Sequence, residues 1–168
     1  MVNTLIGGLI SRGLPSTRIT VSDPVEQVRH LLAEKDLVVS EDNASAFRVA
    51  VVVVLAVYPQ VLANVLKPLN GLFDGKLIIS IVAGAEIATI AALAGSNRIV
   101  RVMPNTPALV QTGAHGLYAT EAVDKEDRDL ASQVLAATVL TLCVGEVAQI
   151  DAVTAVSGSG PAYFFYMM

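Results

Sequence analysis

Residues 49–57 read VAVVVVLAV, nine apolar positions that run straight into Tyr58 and Pro59. The run is mostly β-branched and well short of the about 18 residues a membrane-crossing helix needs, so it predicts a strand buried on both faces. Such a strand implies a parallel sheet under helices, because parallel neighbours are joined by helical crossovers. Pro59 ends the run, having no N–H for the ladder and restraining the residue before it. In open α/β sheets ligands bind beyond the carboxyl ends of the strands. The turn at Ala56, Val57, Tyr58 and Pro59 is therefore the first place to look for function.

The alternation continues on both sides of that strand. Residues 1–12 have helical apolar spacing and stop at Gly13, residues 19–22 read as a strand, and Asp23-Pro24 reads as the cap of the next helix. The Gly7-Gly8 pair inside the first helix weakens it, so close packing against a strand is expected there. Strands are predicted over 37–39, 76–82, 98–103, 116–119 and 138–144, and helices over 43–48, 59–66, 85–94, 123–137 and 149–156. Strands and helices alternating in this way predict a doubly wound, mostly parallel α/β sheet. The chain opens in a helix and stops in the apolar run AYFFYMM, so both ends read as cut.

Composition narrows the classes. Hydrophobic residues make up 54% of the 168 and the formal charge is −4, which argues against a nucleic-acid partner. Mean hydropathy is +0.62, yet charged residues or glycine interrupt every apolar stretch before it could span a bilayer, so no membrane association is expected. The first residues show no basic leader, so a cytoplasmic protein is expected. Cys143, the single cysteine, lies in TVLTLCV and reads as a buried, inert thiol. Phosphate-cradling GxGxxG and GxxxxGK[ST] loops, HExxH, and Cys/His clusters with metal-ligand spacing are missing from the sequence, so no metal is expected. His30 reads as part of a solvated helix face and His115 as a structural or exposed residue.

Three stretches carry candidate chemistry. Ser22 ends an early strand, where a mononucleotide-binding unit holds the adenosine ribose or its 2′-phosphate, while Asp23 suits either the ribose hydroxyls or a helix cap. Met103-Pro104-Asn105-Thr106-Pro107 closes a strand with two prolines around two hydrogen-bonding side chains, either a rigid loop or a wall of the ligand crevice. Residues 152–163, AVTAVSGSGPAY, combine small residues with a proline that can start a helix, and read as an ordered turn between two units.

Taken together, LIGGLISRG, SDP, VVVLAVYPQ, KLIISIVAG, RVMPNTPALV and DAVTAVSGSGPAY resemble the pyrroline-5-carboxylate reductases in order and spacing. The resemblance implies a Rossmann-type NAD(P)-binding domain over 1–150 that lacks its first strand. It implies that 151–168 begin an all-helical dimerisation domain. The activity implied is hydride transfer from NADPH or NADH to the C=N bond of 1-pyrroline-5-carboxylate, giving L-proline, in a homodimer or larger assembly. Position by position, it puts Met1 at the end of the Gly-rich phosphate loop, Ser22 at the 2′-phosphate and Asn43 near the ribose. It puts Ala56, Val57, Tyr58 and Pro59 beneath the cofactor, Ile81, Val82 and Ala83 along the nicotinamide, and Asn105 on the substrate side. It leaves the catalytic residues unidentified.

The departures are as specific. Tyr58 stands where the family has a lysine, Val51 where an aspartate is usual, and Val147 where an acidic residue is frequent. The family's strand and GxGxM-like loop before Met1, and its helices beyond Met168, have no counterpart here. That predicts low stability and no turnover by this chain alone. The rival expectation is an inactive truncated relative that acts as a protein-interaction module through exposed apolar surface.

Overall fold

The computed structural model describes residues 2–105, 113–136 and 140–167, and over them helix and strand alternate. Helix α1 (Val2–Ser11) ends at Gly13, whose φ of +94° suits glycine. Strand β1 (Thr20–Ser22), helix α2 (Glu26–Ala33), strand β2 (Val38–Ser40) and helix α3 (Asn43–Val49) follow. Next come β3 (Val52–Leu55), α4 (Leu62–Leu66), β4 (Leu77–Ser80), α5 (Ile87–Ala94) and β5 (Ile99–Met103). The remainder is β6 (Ala114–Ala119), α6 (Lys125–Ala136), β7 (Leu140–Cys143), α7 (Val147–Val153) and α8 (Gly160–Met167), with a π-helical turn at Thr154–Gly158 between the last two.

The strands form two hydrogen-bonded sheets. β1 and β2 pair in parallel, and β3 to β7 form a five-stranded sheet in chain order. Every pairing in the larger sheet is parallel except β5 with β6, where Met103 faces Gly116 and Arg101 faces Tyr118. Helices cover both faces. Val53, Leu55 and Ile78 pack with Phe47, Leu62, Leu66, Phe73 and Ile90 on one side. Leu77, Ile79, Val100 and Val102 pack with Ala131 and Leu135 of α6 on the other. Phe47 meets Phe73 edge to face at 4.8 Å between ring centroids, a favoured aromatic geometry. The small sheet has its own cluster around Ile6, Leu32 and Leu37. The architecture is the doubly wound α/β fold the alternation predicts.

Five expectations need correction. The strand buried on both faces is β4, all four of whose residues are buried, because it lies between β3 and β5. The valine run forms only a four-residue strand, with Val52 and Val54 half-buried. Among the described residues β3 pairs with β4 alone, which leaves Val51 71% exposed, and Val49 completes α3 instead. Asp23 does not cap α2, which starts at Glu26; its Oδ1 accepts from the N–H of Val25 at 2.8 Å in a local turn. Cys143 is exposed, because β7 has β6 as its one neighbour among the described residues. At Gly7 a Cβ would meet nothing within 4 Å, so close packing does not account for that glycine. The expected strand start at Thr138 lies outside the described residues.

Candidate functional site

Parallel pairing aligns β3, β4 and β5, so their carboxyl ends open on one edge of the sheet. Leu55 pairs with Ser80, which sets residues 56–59 beside residues 81–84. Ala56, Tyr58, Pro59 and Ala83 are exposed, Val57 and Ile81 are half-buried, and Val82 is buried in the core. Val82 thus offers its backbone to this edge, since its side chain belongs to the cluster beneath. The backbone N–H of Val82 donates to Ser80 Oγ at 3.3 Å, and Gly84 turns the chain with φ of +70° and open space around it.

The ends of β1 and β2 make a second group. Ser22 is opposite Ser40, and its hydroxyl is buried with no hydrogen-bond partner among the described residues. A buried polar atom without a partner is costly and uncommon. Asn43, half-buried, is the first residue of α3. That helix is capped by Asp42, whose carboxylate accepts from the N–H groups of Ala44 and Ser45 at 3.0 Å and from the Ser45 hydroxyl. The Ser45 hydroxyl, followed by those N–H groups, holds the Asp42 carboxyl below its ordinary value. Arg29 is committed elsewhere, donating to the carbonyl of Asp23 at 2.7 Å and to Glu41 at 3.4 Å.

Asn105, two residues past β5, joins the strand ends to the carboxyl-terminal helices. Its Oδ1 accepts from the N–H of Ala114 at 3.1 Å and its Nδ2 donates to Ser157 Oγ at 2.9 Å. Higher on the same strand Arg101 donates to Asp151 of α7 at 2.8 Å. The neighbouring His115 on β6 is 2% exposed, and burial pushes its imidazole below the ordinary value.

Comparison with known proteins identifies the framework. Residues 1–84 match the family of NADP oxidoreductases described as coenzyme F420-dependent, and residues 147–168 match the pyrroline-5-carboxylate reductase dimerisation family. The pyrroline-5-carboxylate reductase of Pseudomonas aeruginosa is 47% identical over all of this chain. The chain belongs to the pyrroline-5-carboxylate reductase family. It spans 63% of the length of that relative. The solved reductase from Coxiella burnetii superposes with a TM-score of 0.92 at 36% identity, covering 99% of this chain and 63% of its own. The Plasmodium falciparum pyrroline carboxylate reductase, solved with NADP bound, gives 0.84 at 26% identity, covering 98% of this chain and 61% of its own.

Within this reductase-family framework the candidate residues fall in two groups, Ser22 with Asn43 and the row 56–59, 81–83 and Asn105. Met1 lies outside the described residues, as do Thr106 and Pro107. Tyr58, at the position the resemblance gives to lysine, is 81% exposed. The sequence reading missed Ser157 as a site residue. Its only signal was a hydroxyl within the small-residue run SGSG, and its partner Asn105 is 52 residues away in the chain.

Proposed function

We propose that the protein contributes to NAD(P)H-dependent reduction of the C=N bond of 1-pyrroline-5-carboxylate to L-proline. The observation that carries this reading is the single row formed by the ends of β3, β4 and β5, closed at one side by Asn105 and the π-helical turn. Residues 1–150 act as the NAD(P)-binding unit and residues 151–168 begin the helical one. A cytoplasmic setting belongs to the same reading.

The residues fit the two ends of a dinucleotide, its adenosine ribose with the 2′-phosphate and its nicotinamide. The buried Ser22 hydroxyl, lacking a partner, suits a phosphate or ribose oxygen beyond β1, with Asn43 beside it. The turn at Ala56, Val57, Tyr58 and Pro59, with Ile81, Val82 and Ala83, offers a largely apolar floor. Residues 56–59 and 81–83 would hold a reduced nicotinamide, which would supply the hydride for the imine carbon while the imine nitrogen keeps its proton. Residues 56–59, 81–84, Asn105 and Ser157 include no carboxylate, ammonium or imidazole. A protonated imine is already electrophilic, so the chain acts by holding the two reactants together.

Helix α8 supports assembly with a second copy. Tyr163, Phe164, Phe165, Tyr166 and Met167 are 64–93% exposed on it, an apolar surface of the kind that marks interfaces. The same surface favours a second reading, an interaction module without catalysis. One experiment separates them. Residues 1–168 are exchanged for the matching stretch of the Pseudomonas aeruginosa reductase, and imine-dependent NADPH consumption is followed beside the 168-residue chain. Turnover by the chimera, with Ser22→Ala raising KM for NADPH and not for NADH, is expected. A folded chimera that neither binds NADPH nor consumes it would overturn the reductase reading in favour of the module.

A further inference from the structure

Arg101, Met103 and Asn105 alternate along β5 and its extension, so their side chains share one face. On that face the chain from α7 to the π-helical turn meets all three. Arg101 binds Asp151, the methyl of Met103 lies 2.6 Å from where a Cβ on Gly158 would sit, and Asn105 binds Ser157. Glycine at 158 is what lets the turn come this close to Met103.

The turn is one residue wider than an α-helical turn. The N–H of Ser159 donates to the carbonyl of Thr154 at 2.9 Å, and Thr154 Oγ1 donates back to Ile150 at 2.8 Å. Single π-helical turns are rare and concentrate at functional sites. This one sits between two helices and has small residues at Ser157, Gly158 and Ser159, so its own sequence does little to fix it. The Asn105 amide supplies an anchor from outside. The N–H of Ala114 requires an acceptor, which sets Oδ1 toward β6 and leaves Nδ2 to Ser157. The Ser157 oxygen then accepts, and its own proton stays available to donate.

We propose that the Asn105–Ser157 hydrogen bond is a latch that holds the π-helical turn against the carboxyl end of β5, and that both are positioning residues of the site. Acting through the latch, they set how close the backbone of residues 157–160 stands to the row of strand ends. The kinetic part of this proposal rests on the reductase reading; the latch itself does not.

The test therefore has two arms. In the 168-residue chain, amide exchange of Ser159 is measured in wild type, Asn105→Ala, Ser157→Ala and the double variant. A latch makes each single variant exchange about tenfold faster at Ser159, the double variant no faster than either single, and the β4 amides unchanged. Unchanged exchange in both singles, or additive effects, would sink it. In the chimera, the singles should lose about 10-fold in kcat/KM for the imine, with KM for NADPH within about twofold, and Ser157→Thr should restore most of the loss. Equal losses toward cofactor and imine, without rescue by threonine, would mark a merely structural bond. An unmutated chimera with no turnover refutes the reductase reading instead, and the exchange arm still decides the latch.

Discussion

Arg101 and Asp151 form an ion pair whose halves live in different surroundings: the guanidinium is 6% exposed and the carboxylate 68%. The pair spans 50 residues of chain and fastens α7 to β5. Its value lies on the arginine side. Asp151 left unpaired would be solvated, whereas Arg101 left unpaired would be a buried charge without its acceptor. Asp151→Ala should therefore cost about 1–3 kcal/mol. Asp151→Asn, which keeps an oxygen acceptor, should cost less, and urea midpoints of the two variants check the order. Equal midpoints for wild type and Asp151→Ala would mean that water already serves the arginine.

His115 sets a pH dependence. Burial depresses its folded-state value below the ordinary imidazole value of about 6.5, so below that pH the unfolded chain binds the proton more readily. Its contribution is fully present above the unfolded value and is lost as pH falls through the folded one. Stability should decline as the pH is lowered below about 6.5. His115→Asn should flatten that decline, as read from denaturation midpoints across the interval. An unchanged slope would place the titration elsewhere.

Two glycines separate rigid from yielding neighbours. A Cβ on Gly116 would meet the branched side chain of Val153 at 3.0–3.3 Å, and a β-branched residue in a helix has little rotamer freedom. Gly116→Ala should cost about 1–3 kcal/mol, and adding Val153→Ala should recover part of it. At Gly158 the obstacle is the end of a flexible methionine, so Gly158→Ala should cost less than Gly116→Ala. Thermal midpoints of the three variants decide, and the reverse order would contradict this account.

The two sheets should open separately. β1 and β2 share bonds with each other and their own apolar cluster, while Ile78 and Ile79 of β4 are bonded on both sides and wholly buried. Native-state hydrogen exchange should show the β1–β2 amides opening at lower free energy than those of β4. A single opening energy for both would show one cooperative unit.

Much of this was legible in the sequence. The alternation of apolar runs with capped helical stretches predicts the doubly wound fold and the strand-end turn at residues 56–59, whereas residues 81–83 come from the family resemblance alone. What composition could not give was neighbourhood. A run of valines says that a strand wants burial, but position in the sheet decides how much it receives, and β4 has a strand on each side where β3, among the described residues, has one. Cys143 failed as a prediction for the same reason, since a central strand and an outer one have similar apolar content. Asp23 has the right chemistry for a cap, yet Pro24 and Val25 delay the helix, and its carboxylate serves a local turn. Ser157 was hidden because its partner lies across the fold.

The exposure of Cys143 gives the molecule a built-in reporter. It is the one thiol in the chain, on a strand whose Leu140 and Leu142 are also exposed. A small fluorophore attached there would sense the polarity around that edge without any engineered cysteine. Its emission would register whether assembly covers β7 or leaves it wet.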